Sequence, residues 1–430
     1  MNKFPPNSNP RSLNTDADAG LERTGCADSG AGYLLLTGAT GLVGHYLLRD
    51  FSLRKHKLAV LVRGNKKFSA QERVESIMAQ WERKTGRPLE RPVVIEGDLG
   101  QPELAISDED LDWLGQNCDR ILHNGAVLKF QGQDRASDPW KTNLGGTERI
   151  LQLAERLAER SGYVREMHYV STAYVSGVCD SVFRESDFDV GQDFRNEYER
   201  SKFEAEQLVR QSELFDSTTI YRPAVIVGDS ETGFTVSYHG LYLYLRLMAT
   251  LIPLQPMDED GTRRTEIGLP MSGEEPRNLV PVDWVSRVIV EAICDQQTHG
   301  RTYHLVPKIG LTARQLIEYC YEYFNSRGVK FGDCSGANEN GNENDFARQY
   351  LENMQVYSAY DTSDPVFDRS NIESVFKHLP CPAIDREMIF RFLDFGIKDR
   401  WGKRRPEKST SGKDATDAAS LAAKASNVGG

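Results

Sequence analysis

The chain has no C-x-x-C pair, no excess of basic residues and no apolar run long enough to cross a bilayer. Its seven cysteines, at positions 26, 118, 179, 294, 320, 334 and 381, are scattered along 430 residues. That pattern fits a reducing compartment rather than a disulfide framework, and it offers no metal-ligand spacing. Acidic residues outnumber basic ones, 63 to 52, and the net charge of −11 argues against a nucleic-acid partner. No window reaches the roughly 18 apolar residues of a spanning helix. The nearest, LYLYLRLMATLIPL at 241–254, is too short and carries Arg246. It reads as a buried helix, or as an apolar wall for a long substrate or a weak membrane contact. The N-terminal stretch lacks an apolar h-region, so no secretory signal is expected and the expected location is cytoplasmic.

What is present is material for two or three domains, with 39% apolar residues in 430. Residues 1–30 and 401–430 are polar and are expected to be disordered tails. GDCSGANENGNEND at 332–345 reads as a surface loop or linker. Between the tails, short apolar runs alternate with amphipathic stretches. The predicted strands are YLLLT (33–37), LAVLV (58–62), PVVIEG (92–97), RILHN (120–124), EMHYVS (166–171) and STTIYRP (217–223). Helical patterns fall between them at 42–53, 70–85, 143–160 and 196–213. This alternation predicts an α/β fold with a doubly wound, Rossmann-like parallel sheet covered on both faces. The expected division is a nucleotide-binding domain over 31–228 and a smaller, mixed substrate-binding region over 229–400. Residues 276–310, including TYHLV at 302–306, are expected to return to the sheet. The segments 229–275 and 326–395 read as helical patterns mixed with loops.

TGATGLVG (37–44) joins the first strand to the first helix. Gly38 permits a tight turn, Gly41 lets the backbone approach a pyrophosphate, and Gly44 lets the helix pack closely on the sheet. The N–H groups of Leu42 and Val43 open the helix and point toward negative charge. The spacing is G-x-x-G-x-x-G rather than G-x-G-x-x-G. At the end of the second strand, where an NAD site usually has an acid for the ribose 2′-hydroxyl, the chain has Arg63, with Arg73 one segment on. A guanidinium there suits a 2′-phosphate, so NADP(H) is the expected cofactor. An ordinary surface arginine is the bland alternative. EGDL (96–99) and HNGA (123–126) close the third and fourth strands. Asp98 could accept from the adenine amino group, and Gly125 would let the chain pass close to the cofactor.

NEYERSKFEAEQLV (196–209) puts Tyr198 and Lys202 on one helical face. A phenol has an unperturbed pKa of about 10, and an ammonium one turn away is expected to favour the phenolate. Upstream, HYVSTAYVSG (168–177) places Ser171 and Thr172 at the end of a buried strand, where a hydroxyl can donate to the carbonyl that Tyr198 protonates.

In this order the motifs resemble the extended short-chain dehydrogenase/reductases, from the glycine loop to about residue 310. Within them the chain is similar to the thioester-reductase branch, related to the male-sterility fatty acyl reductases. TGATGLVG, VLVRG, GDLGQPELAIS, HNGAVL, TNLGGTERIL, YVSTAYVSG, YERSKFEAEQLV, YRPAVIVGDSETG and NLVPVDWV carry the resemblance. It implies catalytic roles for Thr172, Tyr198 and Lys202. It implies cofactor contacts on Gly38, Thr40, Gly41, Leu42, Val43, Gly44, Arg63, Arg73, Asp98, Leu99, Asn124 and Gly125, with Tyr198 and Lys202. Asn143 lies where relatives often have asparagine, without a firm role. HNGA replaces the usual HNAA, and KFQGQDRASDPW (129–140) is unusually polar for the branch. Beyond 330 only DPVFDRSNIE (364–373) looks similar to the relatives. With no adenylation or carrier-serine motif present, the acyl group is expected to arrive on another protein or on coenzyme A.

The implied activity is NADPH-dependent reduction of an acyl thioester to aldehyde or alcohol, with an acyl-carrier contact. Two other readings remain. One is an NAD-dependent sugar-nucleotide epimerase or dehydratase, and the other is a noncatalytic NADP-binding scaffold.

Overall fold

The computed structural model describes residues 32–161, 164–269, 271–332 and 364–403. The expected tail at 1–30, most of the one at 401–430 and nearly all of the polar loop at 332–345 lie outside these residues. Six strands come first: β1 (Tyr33–Thr37), β2 (Leu58–Val62), β3 (Val93–Glu96), β4 (Cys118–His123), β5 (Glu166–Val170) and β6 (Ser217–Pro223). Shorter strands follow: β7 (Val225–Val227), β8 (Arg263–Leu269), β9 (Pro276–Arg277), β10 (Leu279–Pro281), β11 (Thr302–Leu305), β12 (Leu311–Thr312) and β13 (Ser326–Phe331). Seven of them form one sheet in the order β11-β6-β5-β4-β1-β2-β3, all parallel. The chain reverses direction across the sheet between β1 and β4, and at that switch point the carboxyl ends of the strands leave a crevice.

The continuous apolar runs are explained by burial on both faces. Along β1, Leu34 and Leu36 enter one core while Leu35 enters the other. The first core is closed by α1 (Leu42–Leu53) and α2 (Ala70–Thr85), the second by α3 (Asp108–Asn117), α4 (Trp140–Ser161) and α5 (Glu197–Gln211). Each fully buried leucine contributes about 1.5–3 kcal/mol. Helix α3 has no counterpart among the helical patterns read from the sequence. Its signal is a cap: Ser107 accepts from the Asp110 amide, and three acids fill the first turn.

Five further helices complete the described chain: α6 (Leu241–Leu251), α7 (Val282–Cys294), α8 (Ala313–Tyr323), a short α9 (Ser370–Val375) and α10 (Arg386–Lys398). Helix α7 returns to the first core and β11 joins the sheet edge beside β6. Helices α6, α8 and α10 enclose a separate apolar core with Ile267 and Leu269 of β8. Helices and loops alone are not what this part contains. β8 and β13 pair in parallel, and in RRTEIGL the buried Thr265 and Ile267 alternate with more exposed neighbours. That period of two is a strand signal.

Candidate functional site

The site is built where β1 and β4 end. Gly38 has φ +72°, and a Cβ on it would meet Gly125 Cα at 2.8 Å. A Cβ on Gly44 would come within 2.2 Å of the Gly38 carbonyl. Both glycines are therefore demanded by the protein itself. A Cβ on Gly41 would meet only the Gly38 oxygen, at 3.4 Å, so the packing does not require this glycine. No side chain caps the first turn of α1. Thr37 and His123, which sequence reasoning missed, lock the two strand ends together. The Thr37 hydroxyl lies 2.7 Å from His123 Nδ1 and accepts from the Gly125 amide at 2.9 Å. Burial pushes His123 down to about 3, which keeps it neutral. Gly125 is thus fixed against Gly38 and Leu99, and Asn124 donates to the Gly38 carbonyl at 3.3 Å.

The selectivity residues gather at the end of β2. Arg63 is 67% exposed and reaches Asp98 at 3.4 Å, so Asp98 faces a guanidinium in this protein. Arg73 does not line the cavity. It donates to the Arg63 carbonyl at 2.6 Å and to the Thr40 hydroxyl at 3.0 Å, joining β2 to the glycine loop.

At the end of β5 the two candidate hydroxyls part. Ser171 donates to Glu206 at 2.5 Å, inside a buried network in which Arg222 also pairs with Glu206 at 2.6 Å. Thr172 accepts from the Tyr174 amide and donates to the Pro223 carbonyl at 3.4 Å, and its hydroxyl is near enough to Tyr198 to favour the phenolate. Lys202 is buried and donates to the Tyr169 hydroxyl at 2.8 Å and the Val170 carbonyl at 2.9 Å. The expected effect of the ammonium on the phenol is not found. Burial pushes Tyr198 up to about 12, against the pull of the Thr172 hydroxyl. Burial also pushes Lys202 down to about 7, against the attraction of Glu206. Desolvation disfavours both charged forms, and no charge beside Tyr198 offsets it. Asn143 gains a definite place. Its side chain clasps both backbone groups of Val127 and donates to Ser201, which in turn donates to the Tyr198 carbonyl.

Thr172, Tyr198 and Lys202 line one cavity of about 1230 Å³ with Gly38, Gly41, Arg63, Asp98 and Asn124. Its far end is largely apolar, with Val236, Leu241, Leu269, Met271, Leu279 and Ile317. The 241–254 stretch is a helix over Leu241–Leu251 that divides between two surroundings. Leu241, Tyr242 and Tyr244 reach the cavity, while Leu245, Met248 and Leu251 bury into the helical core. From the polar 129–140 stretch, Phe130 and Asp138 reach the wall. Asp364 closes another side. It accepts from Tyr174 at 3.0 Å and from the Asn278 amide at 2.6 Å, and burial pushes its carboxyl up. Nothing in the motif spacing pointed to Asp364.

A parallel sheet with this strand order, a glycine loop at the switch point and a Thr/Tyr/Lys set beside it define an extended short-chain dehydrogenase/reductase, an oxidoreductase built around a nicotinamide cofactor. Residues 36–289 match the family model described as male sterility protein, and the chain belongs to that family. It is 31% identical over 389 residues to a linear gramicidin synthase polypeptide of Brevibacillus parabrevis, across 84% of this chain and 7% of the synthase. It is 28% identical over 278 residues to the large L-2-aminoadipate reductase polypeptide of Penicillium chrysogenum, across 60% of this chain and 18% of that protein. The chain therefore spans only a small part of these relatives. The terminal R domain of the myxalamid PKS-NRPS biosynthetic pathway superposes with a TM-score of 0.65 at 25% identity, covering 88% of this chain and 94% of that one. No helix among the described residues is long and apolar enough to cross a membrane.

Proposed function

We propose that this protein reduces an acyl thioester, delivered on a carrier protein or on coenzyme A, with NADPH. One observation carries the reading: Thr172, Tyr198 and Lys202 stand together on the wall of a cavity that joins the glycine loop to an apolar chamber. Its volume of about 1230 Å³ exceeds that of a usual single-ligand site and leaves room for a dinucleotide and an acyl chain together.

The residues fit a dinucleotide. The side chain that Gly41 lacks leaves room in front of an uncapped helix N-terminus, which suits a pyrophosphate. Gly38, Thr40, Leu42, Val43 and Gly44 shape that loop, and Leu99, Asn124 and Gly125 form the facing wall. Arg63, steadied by Arg73 and shared with Asp98, would take a 2′-phosphate. Bound there, the dihydronicotinamide supplies hydride to the acyl carbon. Thr172 and Tyr198 hold the oxygen on which charge develops, and Tyr198 passes it a proton. Lys202, fixed between Tyr169 and Val170, would hold the ribose and pair with the phenolate as it forms. The hemithioacetal collapses to aldehyde and free thiol, and a second round gives the alcohol. Residues 229–400 would be the substrate side. The relatives, a gramicidin synthase and an aminoadipate reductase, support an activated acyl substrate.

The test is NADPH consumption with release of free thiol on a panel of acyl-CoA and acyl-carrier thioesters. Tyr198→Phe should lower the rate by about 10²- to 10⁴-fold while NADPH binding persists. Consumption by neither protein, with NAD released on denaturation, would favour sugar-nucleotide chemistry. Intact NADPH binding without turnover would favour a scaffold.

A further inference from the structure

The amino end of β5 carries a second polar cluster, on the opposite edge of the sheet from the cavity. Glu166 and His168 are two residues apart on one strand and so point to the same face. His299 joins them from the turn that leads into β11. Side-chain exposure is 11% for Glu166, 0% for His168 and 5% for His299. It is the one such group of three among the described residues, with a ligand atom from each within 4.8 Å of the others.

The hydrogen bonds around the cluster leave two of its inward-facing atoms without a partner. His299 Nε2 lies 2.9 Å from the Ala292 carbonyl, which can only accept, so the proton sits on Nε2. Nδ1 then turns to Glu166 Oε1 at 3.3 Å. His168 Nδ1 is held by the Tyr221 hydroxyl at 3.1 Å. Its Nε2 is buried without a hydrogen-bond partner, and so is Glu166 Oε2, 3.6 Å away. Two ring nitrogens and a carboxylate thus converge within 4.8 Å of one another, and a cation entering there would displace the ring protons that face the carboxylate. Each ring is oriented from behind by Ala292 or Tyr221, as metal-ligating histidines are.

We propose that Glu166, His168 and His299 form a binding site for a zinc-class divalent cation that clamps β5 to the turn before β11. Two imidazoles and one carboxylate suit zinc or cobalt, whereas magnesium and calcium prefer oxygen ligands throughout. A tetrahedral ion needs ligand atoms about 3.4 Å apart, so side-chain rotations alone close the set around it. At about 3.3 Å per residue the two strand ligands lie roughly 13 and 20 Å from Thr172 along β5, and the role of the site is structural.

The test uses the full chain stripped of metal with a chelator and then titrated with Co²⁺ and Zn²⁺. The expected result is one equivalent bound with the visible absorption of tetrahedral cobalt. Zinc should raise Tm by roughly 2–6 °C at saturating concentration. Glu166→Gln and His299→Ala should each weaken binding at least tenfold. Tyr221→Phe keeps every ligand and removes only the support behind His168, so it should weaken binding about tenfold while the metal-free protein still unfolds in one cooperative transition at a somewhat lower Tm. Loss of affinity in all three variants supports the site even if one of them folds poorly. Wild-type binding equal to that of the variants would overturn the proposal and leave a His–Glu ion pair. Reductase turnover should stay within about twofold with and without metal, so failure of either reading leaves the other standing.

Discussion

Strand β5 is polar at both ends, and the two ends solve opposite problems. At its carboxyl end Ser171 and Thr172 follow buried residues, and their surroundings sort them. Ser171 is absorbed by Glu206 and Arg222, which leaves Thr172 to meet Tyr198 on the cavity wall. At its amino end Glu166 and His168 meet His299, with no guanidinium or lysine among the described residues within ion-pairing reach. One carboxylate is balanced by permanent cations beside the cavity wall. The other faces groups that can be neutral, which is the condition under which a metal ion becomes an attractive partner.

The comparison is broken most forcefully at Glu206. Glu206 and Arg222 are both fully buried, and Arg210 reaches the same carboxylate at 2.8 Å. Glu206→Gln leaves a guanidinium buried with no countercharge, which costs about 3–5 kcal/mol. Urea denaturation should show that loss as a lower midpoint. Turnover of whatever remains folded should fall as well, because Ser171 exchanges a charged acceptor for a weaker amide oxygen and is held less firmly apart from Thr172. A loss below about 1 kcal/mol would mean that the network is not what fixes the carboxyl end of β5.

The carboxyl end was legible because its chemistry is local. TGATGLVG, Y-x-x-x-K and the apolar strands each repeat a spacing set by backbone geometry, and Tyr198, Lys202 and the glycine loop do line one cavity. What spacing could not reach was anything decided by through-space contact. The residues alone left Ser171 and Thr172 open and the resemblance implied Thr172, while the contact that separates them is with Glu206, 34 residues beyond Thr172. Asp364 reaches the cavity from far down the chain, and His299 joins Glu166 across 133 residues, so cysteine and histidine spacing could not reveal it. The basicity of Tyr198 was misjudged for the same reason. One turn of helix places Lys202 near, but burial rather than proximity sets both groups. Helix α3 and strand β8 differ from these, since a cap and a period of two were there to be read.

A smaller effect tests selectivity beside the same cavity. Arg63 is mostly exposed and shares Asp98, so its contribution to a 2′-phosphate rests on charge-assisted bonds of about 1.5–3 kcal/mol. Arg63→Ala should raise KM for NADPH about tenfold or more and leave KM for NADH nearly unchanged. Equal changes for both cofactors would show that Arg63 serves the loop and does not read the phosphate. Arg73 would then be the next residue to replace, since it joins Arg63 to Thr40.

The smallest effect sharpens the comparison with a third buried carboxylate, one that has amides in place of cations. Glu185 accepts from the amides of His304 at 2.9 Å and Asn371 at 2.5 Å, sewing the segment after Asp364 onto β11. Burial pushes its carboxyl up to about 7 from 4.5, and the two amides only soften the shift. The folded state therefore holds a proton that the unfolded chain releases. The resulting stabilisation is complete below about pH 4.5 and is lost as pH rises through 7. Between pH 5 and pH 8 the wild type should lose stability relative to Glu185→Gln, whose side chain does not titrate. The variant starts lower, by about 1 kcal/mol, because its amide puts a donor against a backbone N–H. Parallel pH profiles would place Glu185 ionised in the fold. Amide donors alone would then be enough to hold a buried carboxylate charged, and the cations around Glu206 would be needed for position rather than for charge.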